Sequence, residues 1–212
     1  MELERMLQHL LWLTDDTIIR EAISNDRIGY KLSLDEIEQK GRMAKNLGIR
    51  LAEKYQQLVE PPTVEALADY LGVQIEEQEI GVDKSFATLG YFETPNKIVV
   101  NTLFKEKDSY FAEHNLEQWQ FEKWRDVIIA HELFHSIQEH EQLDLQDFQI
   151  KLWGIGRYQH MSTINALVEI AANSFAKKWL NLDYYPGILD KIVLYPYFPE
   201  EIASSIQTDL QK

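Results

Sequence analysis

One stretch, residues 128–137, constrains the fold more than any other, because a His-Glu-x-x-His pattern lies there within a mostly apolar run. On an α-helix, residues four apart lie on the same face, so His131 and His135 can bind one metal ion together. Glu132 lies beside that face and can reach a water on the metal as a general base. The sequence therefore predicts a buried helix with the arrangement of a zinc hydrolase, with His131 and His135 as ligands and Glu132 as the catalytic residue.

The alternative for this stretch is an ordinary amphipathic helix that carries two histidines by chance. Its apolar flanks place the helix inside the protein, where two imidazoles and a carboxylate all need partners. A metal ion supplies those partners directly, which favours the metal site.

A catalytic zinc usually has three protein ligands and one open position, so a third ligand is needed. Glu169 is the best candidate, because it lies among apolar residues in a helix predicted over residues 164–180 and must be paired or ligated if it faces inward. Asn173 follows one turn later and could hydrogen-bond a ligand histidine. His160 is a possible ligand and His140 a less favoured one. Glu169 could equally be a surface residue.

Composition and charge exclude several classes of function. The formal net charge of the 212-residue chain is −14, without a basic run, which argues against direct nucleic-acid binding and against an anionic membrane surface. It is compatible with a basic protein partner. Without cysteine, disulfides and thiolate metal sites are impossible. No signal peptide or membrane span is recognisable, so we expect a cytoplasmic protein.

The chain is predicted to divide where Pro61 and Pro62 end a long helix. Residues 1–60 form a helical N-terminal region, whose longest helix begins at Ser33 with a capping-box pattern. Residues 61–212 form the second region, which carries the metal-site helix.

The second region is predicted to be a mostly helical α+β domain with a small antiparallel sheet beside the His-Glu-x-x-His helix. Strand-like patterns with turn residues between them cover residues 73–80, 86–92 and 97–101. Residues 141–161 are irregular, and Gly154 and Gly156 predict a mobile loop near the site. The tyrosine- and proline-rich residues 184–199 are predicted to pack over the core, with lining of a cleft as the alternative.

Residues 63–80 carry a competing signal. The Leu-Ala-x-x-Leu-Gly-Val pattern from Leu67 to Val73 is common in the first helix of a helix-turn-helix, which would indicate a sequence-specific DNA-binding protein. A basic recognition helix should follow, but residues 74–77 are strand-like and acidic. DNA binding is therefore the least favoured hypothesis.

Two motifs together resemble a known family. The first, from His131 to His135, is shared by many zinc hydrolases, whereas the second, Glu-x-x-Ala-Asn-x-Phe-Ala from Glu169 to Ala176, is more specific. In this order the pair is similar to the ImmA/IrrE family of bacterial metallopeptidases, most clearly over residues 63–180.

The resemblance implies a zincin-like domain in which His131, His135 and Glu169 bind Zn²⁺ and Glu132 acts as the base. It also implies a zinc-dependent endopeptidase whose substrate is a regulatory protein, typically a helix-turn-helix transcriptional repressor. The alternative is a metal-binding interaction protein that binds a repressor or a toxin without cleaving it.

Two positions depart from the family pattern. Phe134 stands where members often have a small residue, which predicts a narrowed or reshaped cleft. Ala171 stands where many members have a second acid. By position alone, Tyr158 and His160 are the candidates for stabilising an oxyanion.

Overall fold

The structure, a computed structural model, describes residues 3–82, 87–155 and 158–209. The helices are α1 (Leu3–Trp12), α2 (Asp15–Asn25), α3 (Leu34–Gln56), α4 (Val64–Leu71), α5 (Asp108–Glu113), α6 (Phe121–His140), α7 (Asn165–Leu180), α8 (Leu189–Leu194) and α9 (Pro199–Asp209). The strands are β1 (Gln74–Gln78), β2 (Gly90–Glu93), β3 (Lys97–Asn101), β4 (Gln149–Ile155) and β5 (Tyr158–Thr163). The predicted mostly helical α+β class is confirmed.

The three longest helices, α3, α6 and α7, pack together, with α7 in contact with both others. α3 approaches α7 closely at Gly48, where a β-carbon would overlap the carbonyl group of Ala171. One hydrophobic cluster contains residues of all three helices. The predicted division after residue 60 therefore separates two segments that share a core, and as a domain boundary it stays a prediction.

Local signals in the sequence determine the ends of two helices. At the start of α3 the Ser33 N–H donates to Glu36 Oε2 at 2.8 Å, and the Glu36 N–H donates to Ser33 Oγ at 3.4 Å, which confirms the predicted capping box. At the start of α4, Thr63 Oγ1 accepts a hydrogen bond from the Ala66 N–H at 3.1 Å. Gly72 ends α4 in the left-handed region, with φ of 69°.

The first sheet is mixed, which corrects the antiparallel prediction for one of its three strands. Its order is β1-β3-β2; β2 is antiparallel to β3 as predicted, but β1 is parallel to it. The reason is the burial of β3, whose residues 98–100 are fully buried. An apolar strand of this kind is stable at the centre of a sheet with a partner on each side.

Residues 149–163 form a hairpin instead of the predicted mobile loop. β4 and β5 pair antiparallel with a register shift between Lys151 and Trp153, and Gly154 lies within β4 opposite Gln159. Gly156 lies outside the described residues. The only apolar alternation in the described part of the hairpin is short: Ile150 and Leu152 pack against the core while Lys151 is exposed, and the described residues of β5 have none.

The residues after α4 do not form a recognition helix. They form β1, which pairs with β3, so the helix-turn-helix hypothesis lacks its second helix. In the described ranges, no helix combines the length and the apolar character that crossing a bilayer requires.

Asn101 fixes the connection from β1 to β2. Its fully buried side chain accepts hydrogen bonds from the Ile80 N–H at 2.9 Å and the Leu103 N–H at 3.1 Å, and donates to the Thr88 carbonyl at 3.0 Å. One amide group therefore holds both ends of the connection, at Ile80 and at Thr88.

We expect Asn101→Ala to lower the free energy of unfolding by about 2–4 kcal/mol, because two N–H groups and one carbonyl lose their partner. Urea unfolding followed by circular dichroism measures the change. Asn96→Ala is the control, since its exposed side chain makes one hydrogen bond, to the Gly72 carbonyl at 3.3 Å. Equal losses in the two variants would contradict the role of Asn101.

Candidate metal centre

Helices α6 and α7 bring the three predicted ligands together. His131 Nε2 lies 3.2 Å from His135 Nε2 and 3.1 Å from Glu169 Oε2, and His135 Nε2 lies 3.8 Å from Glu169 Oε1. The three side chains form a group that could hold a metal ion. Glu169, one of several candidates in the sequence, is thus the one that lies at the histidine pair.

The separations fit the edges of a tetrahedral coordination site. Ligand atoms about 2.1 Å from a zinc ion, at tetrahedral angles to one another, lie about 3.4 Å apart. The observed distances between ligand atoms range from 3.1 to 3.8 Å. The distances from the two histidines end on different oxygens of Glu169, so an ion can lie within bonding distance of all three side chains after the carboxylate turns.

The outer nitrogens of both histidines are held by amide oxygens. Asn173 Oδ1 lies 3.0 Å from His131 Nδ1, and Gln138 Oε1 lies 3.4 Å from His135 Nδ1. Because an amide oxygen can only accept, each Nδ1 carries the hydrogen and a neutral ring keeps the lone pair on Nε2. Asn173 takes the predicted position. Gln138 was not predicted, although it follows His135 by three residues and so lies one helical turn away.

Without a metal ion, the site holds a proton on His131. Burial opposes a positive charge on this ring, but the hydrogen bond to Glu169 and the nearby carboxylates outweigh burial and raise the pKa of His131 to about 9. Burial and the charge of His131 lower the pKa of His135. Burial also opposes the charge on Glu169, but its hydrogen bond to His131 keeps the pKa of this carboxyl below its ordinary value.

Glu132 lies in the wall of a cavity of about 330 Å³ that also borders His131 and Glu169. The residue is 9% exposed, and among the described residues it makes no hydrogen bond or ion pair. A largely buried carboxylate without a partner is costly. Its position therefore favours contact with a molecule bound in the cavity. The assignment of Glu132 as general base stays a prediction.

The two sides of the cavity come from distant parts of the chain. One side is residues 87–90, which lead into β2, and the other is residues 186–190, which lead into α8. Lining of a cleft by the tyrosine- and proline-rich segment was the less favoured prediction. In the structure both predictions apply, since Tyr185 and Ile188 are buried in the core whereas Pro186 and Asp190 line the cavity.

Gly90 allows the edge strand β2 to lie directly against the metal-site helix. A β-carbon at this position would lie 2.6 Å from Ile128 Cγ2 and 2.8 Å from the Val99 carbonyl oxygen. Only glycine fits this approach. The signal in the sequence is a single glycine at the start of a strand-like pattern, which indicates close packing of the backbone without naming the partner.

Phe134 does not narrow the cavity directly, but its ring lies 5.7 Å from that of His135, so the prediction that it reshapes the site stays a prediction. Phe134 is fully buried, packs on Phe175 with ring centroids 6.1 Å apart, and lies outside the cavity lining. Ala171 is also fully buried, with its carbonyl group against Gly48, so a second acid at this position would place a carboxylate in the core. Both departures from the family pattern therefore concern the core.

The other candidate residues lie away from the ligands. His160 stacks on Trp153 in the β4–β5 hairpin, with ring centroids 5.5 Å apart, and His140 Nε2 lies 3.2 Å from the Pro95 carbonyl oxygen. Neither is among the residues that line the cavity. The side chain of Tyr158, the other candidate for stabilising an oxyanion, lies outside the described part of the chain.

Comparisons with protein-family models, with curated proteins and with solved structures gave no match. The similarity to the ImmA/IrrE family therefore depends on the two motifs, from His131 to His135 and from Glu169 to Ala176.

We expect the wild-type protein to bind about one zinc ion per chain, and His135→Ala and Glu169→Ala to lose most of it, because each removes one of three ligands. Asn173→Ala should weaken the affinity by about 10- to 100-fold, as is usual when a histidine ligand loses its orienting partner. Elemental analysis after dialysis measures the metal content. His140→Ala, on the same helix but outside the site, should keep its zinc; wild-type metal content in Glu169→Ala would contradict the ligand set.

Zinc binding should release about one proton near pH 7, because His131 is protonated below its pKa of about 9 in the metal-free protein. The apparent affinity should therefore rise about tenfold per pH unit from pH 7 towards pH 9 and then level off. Calorimetry in buffers of different ionisation enthalpy counts the protons. An affinity that does not change between pH 7 and pH 8 would show that His131 is neutral before the metal binds.

Proposed function

We propose that the protein is a zinc-dependent endopeptidase that hydrolyses a peptide bond in a regulatory protein. The observation that carries the proposal is the convergence of His131, His135 and Glu169 beside a cavity that an unpaired Glu132 faces. Ligands and base lie within one turn of α6 and on the adjacent face of α7. Hydrolysis needs both groups at one position, and few other functions do.

The residues have separate roles in the proposed reaction. When bound, zinc supplies a Lewis acid that polarises a carbonyl group and lowers the pKa of a coordinated water. Glu132 takes the proton from the attacking water and passes it to the leaving amine. Asn173 and Gln138 keep the rings of His131 and His135 in the orientation that directs both Nε2 atoms to one position.

The sheet offers a place for an extended substrate. β2 lies at the edge of the three-stranded sheet, and its first residue, Gly90, borders the same cavity as Glu132. An edge strand presents backbone donors and acceptors that can pair with a peptide by strand addition. A peptide paired with β2 would pass the cavity with its backbone beside the metal ligands.

The choice of a regulatory protein as the substrate class rests on the motif resemblance and on charge. The ImmA/IrrE family, which the two motifs resemble, implies cleavage of a helix-turn-helix repressor, a substrate that the enzyme would meet in the cytoplasm. DNA-binding proteins carry basic surfaces, and the net charge of −14 favours association with them. The same charge disfavours direct binding of this chain to nucleic acid.

We expect Glu132→Gln to reduce peptide cleavage by about 10²–10⁴-fold while the zinc content is unchanged, because only the proton acceptor is lost. The zinc-loaded protein is incubated with a proteome-derived peptide pool, and new termini are identified by mass spectrometry. Glu139→Gln is the matched control, since Glu139 is exposed on the same helix.

Cleavage by Glu132→Gln at the wild-type rate would contradict the mechanism. If the zinc-loaded wild type cleaves no peptide and instead retains an intact repressor or toxin in a pull-down, the protein works by binding alone.

A further inference from the structure

The cavity beside the metal centre contains one acid that the proposed reaction does not use. Asp190, in the first turn of α8, lines the cavity together with Glu132 and Glu169. Among the described residues it makes no hydrogen bond or ion pair. Its carboxylate is therefore available to a molecule that enters the cavity.

Part of the remaining lining of the cavity is apolar. Side chains that could pack along an aliphatic chain come from both walls and from α6, namely Ala87, Leu89, Val127, Ile128, Pro186 and Leu189. Lysine and arginine combine an apolar stem with a charged end, so the stem can lie along these side chains while the charged end reaches Asp190.

The surroundings of Asp190 favour the binding of a positively charged group. Asp190 is exposed at the cavity, and Glu132 lines the same space; among the described residues neither carboxylate has a hydrogen-bond or ion-pair partner. A carboxylate beside a second acid is stabilised by an incoming ammonium or guanidinium group.

Resting on the proposed function, we propose that Asp190 selects peptides with a positively charged group next to the scissile bond. The group is the side chain of lysine or arginine, whose stem would lie along the apolar side chains of the wall. Asp190 is then a specificity residue, in contact with the substrate but without a part in proton transfer.

An acid in the first turn of a helix can also be present only to stabilise the helix. That role would change the stability of the protein, and it would affect all substrates alike. The test must therefore measure a ratio between substrates that differ only in charge.

The experiment begins with peptides that the zinc-loaded wild type cleaves in the proteome-derived pool. Each is resynthesised with lysine or with norleucine at the position next to the scissile bond, since the two share a stem and differ in charge. Each pair is made with a free and with an acetylated amino terminus. Values of kcat/KM are compared for wild type, Asp190→Asn and Asp183→Asn, the last as an exposed acid outside the cavity lining.

We expect the wild type to prefer lysine over norleucine by at least about tenfold, the usual gain from a hydrogen bond between charged groups. Asp190→Asn should abolish the preference, with zinc content and norleucine cleavage kept, and Asp183→Asn should retain it. If the preference is instead for a free over an acetylated terminus, and Asp190→Asn removes it, the enzyme is an aminopeptidase, and both the lysine selection and the proposed endopeptidase are overturned.

A wild type without either preference, or an Asp190→Asn variant that keeps it, overturns the inference while the peptidase function stands. If the wild type cleaves no peptide at all, the proposed function fails and the inference fails with it.

Discussion

The site depends on the contact of two α7 side chains with one imidazole of α6. Glu169 reaches Nε2 of His131 and Asn173, one turn later, reaches Nδ1 of the same ring. Two contacts on opposite sides of a ring fix both the rotation and the position of α7 against α6. Helix α3 packs on α7 as well, because Gly48 lets the two backbones approach closely at Ala171. A metal site of fixed geometry therefore requires the whole three-helix core.

Helix positions and the shared face of the histidine pair could be predicted because their signals are local. The capping box at Ser33, the cap at Thr63 and the spacing of His131 and His135 each depend on residues within one or two turns. Glu169 could be named as one candidate among several, because an acid among apolar residues needs a partner. Choosing between the candidates required the packing of α7 on α6, which no local pattern determines.

The features that the sequence did not predict depend on contacts between distant segments. The buried strand β3 takes β1 as a parallel partner from an earlier part of the chain, and the described part of the β4–β5 hairpin has only the short alternation of Ile150 and Leu152. The direction of Phe134 into the core depends on its neighbour Phe175, which is 41 positions later in the chain. Asp190 enters the cavity because the segment before α8 packs beside the metal centre. Strand pairing, side-chain direction and the cavity lining thus each depend on packing between segments that are distant in the sequence.

The anchoring of the β1–β2 connection by Asn101 has a consequence for how such a protein can diverge. Both ends of the connection, Ile80 and Thr88, are bonded to a side chain of the buried strand β3. Connecting segments tolerate changes in length and sequence. Because the hydrogen bonds of Asn101 hold Ile80 and Thr88, such changes between these two residues should leave Gly90 and the edge of β2 in place. Ala87 lies between the anchors and lines the cavity, so its replacement would change this wall while His131, His135 and Glu169 keep their positions.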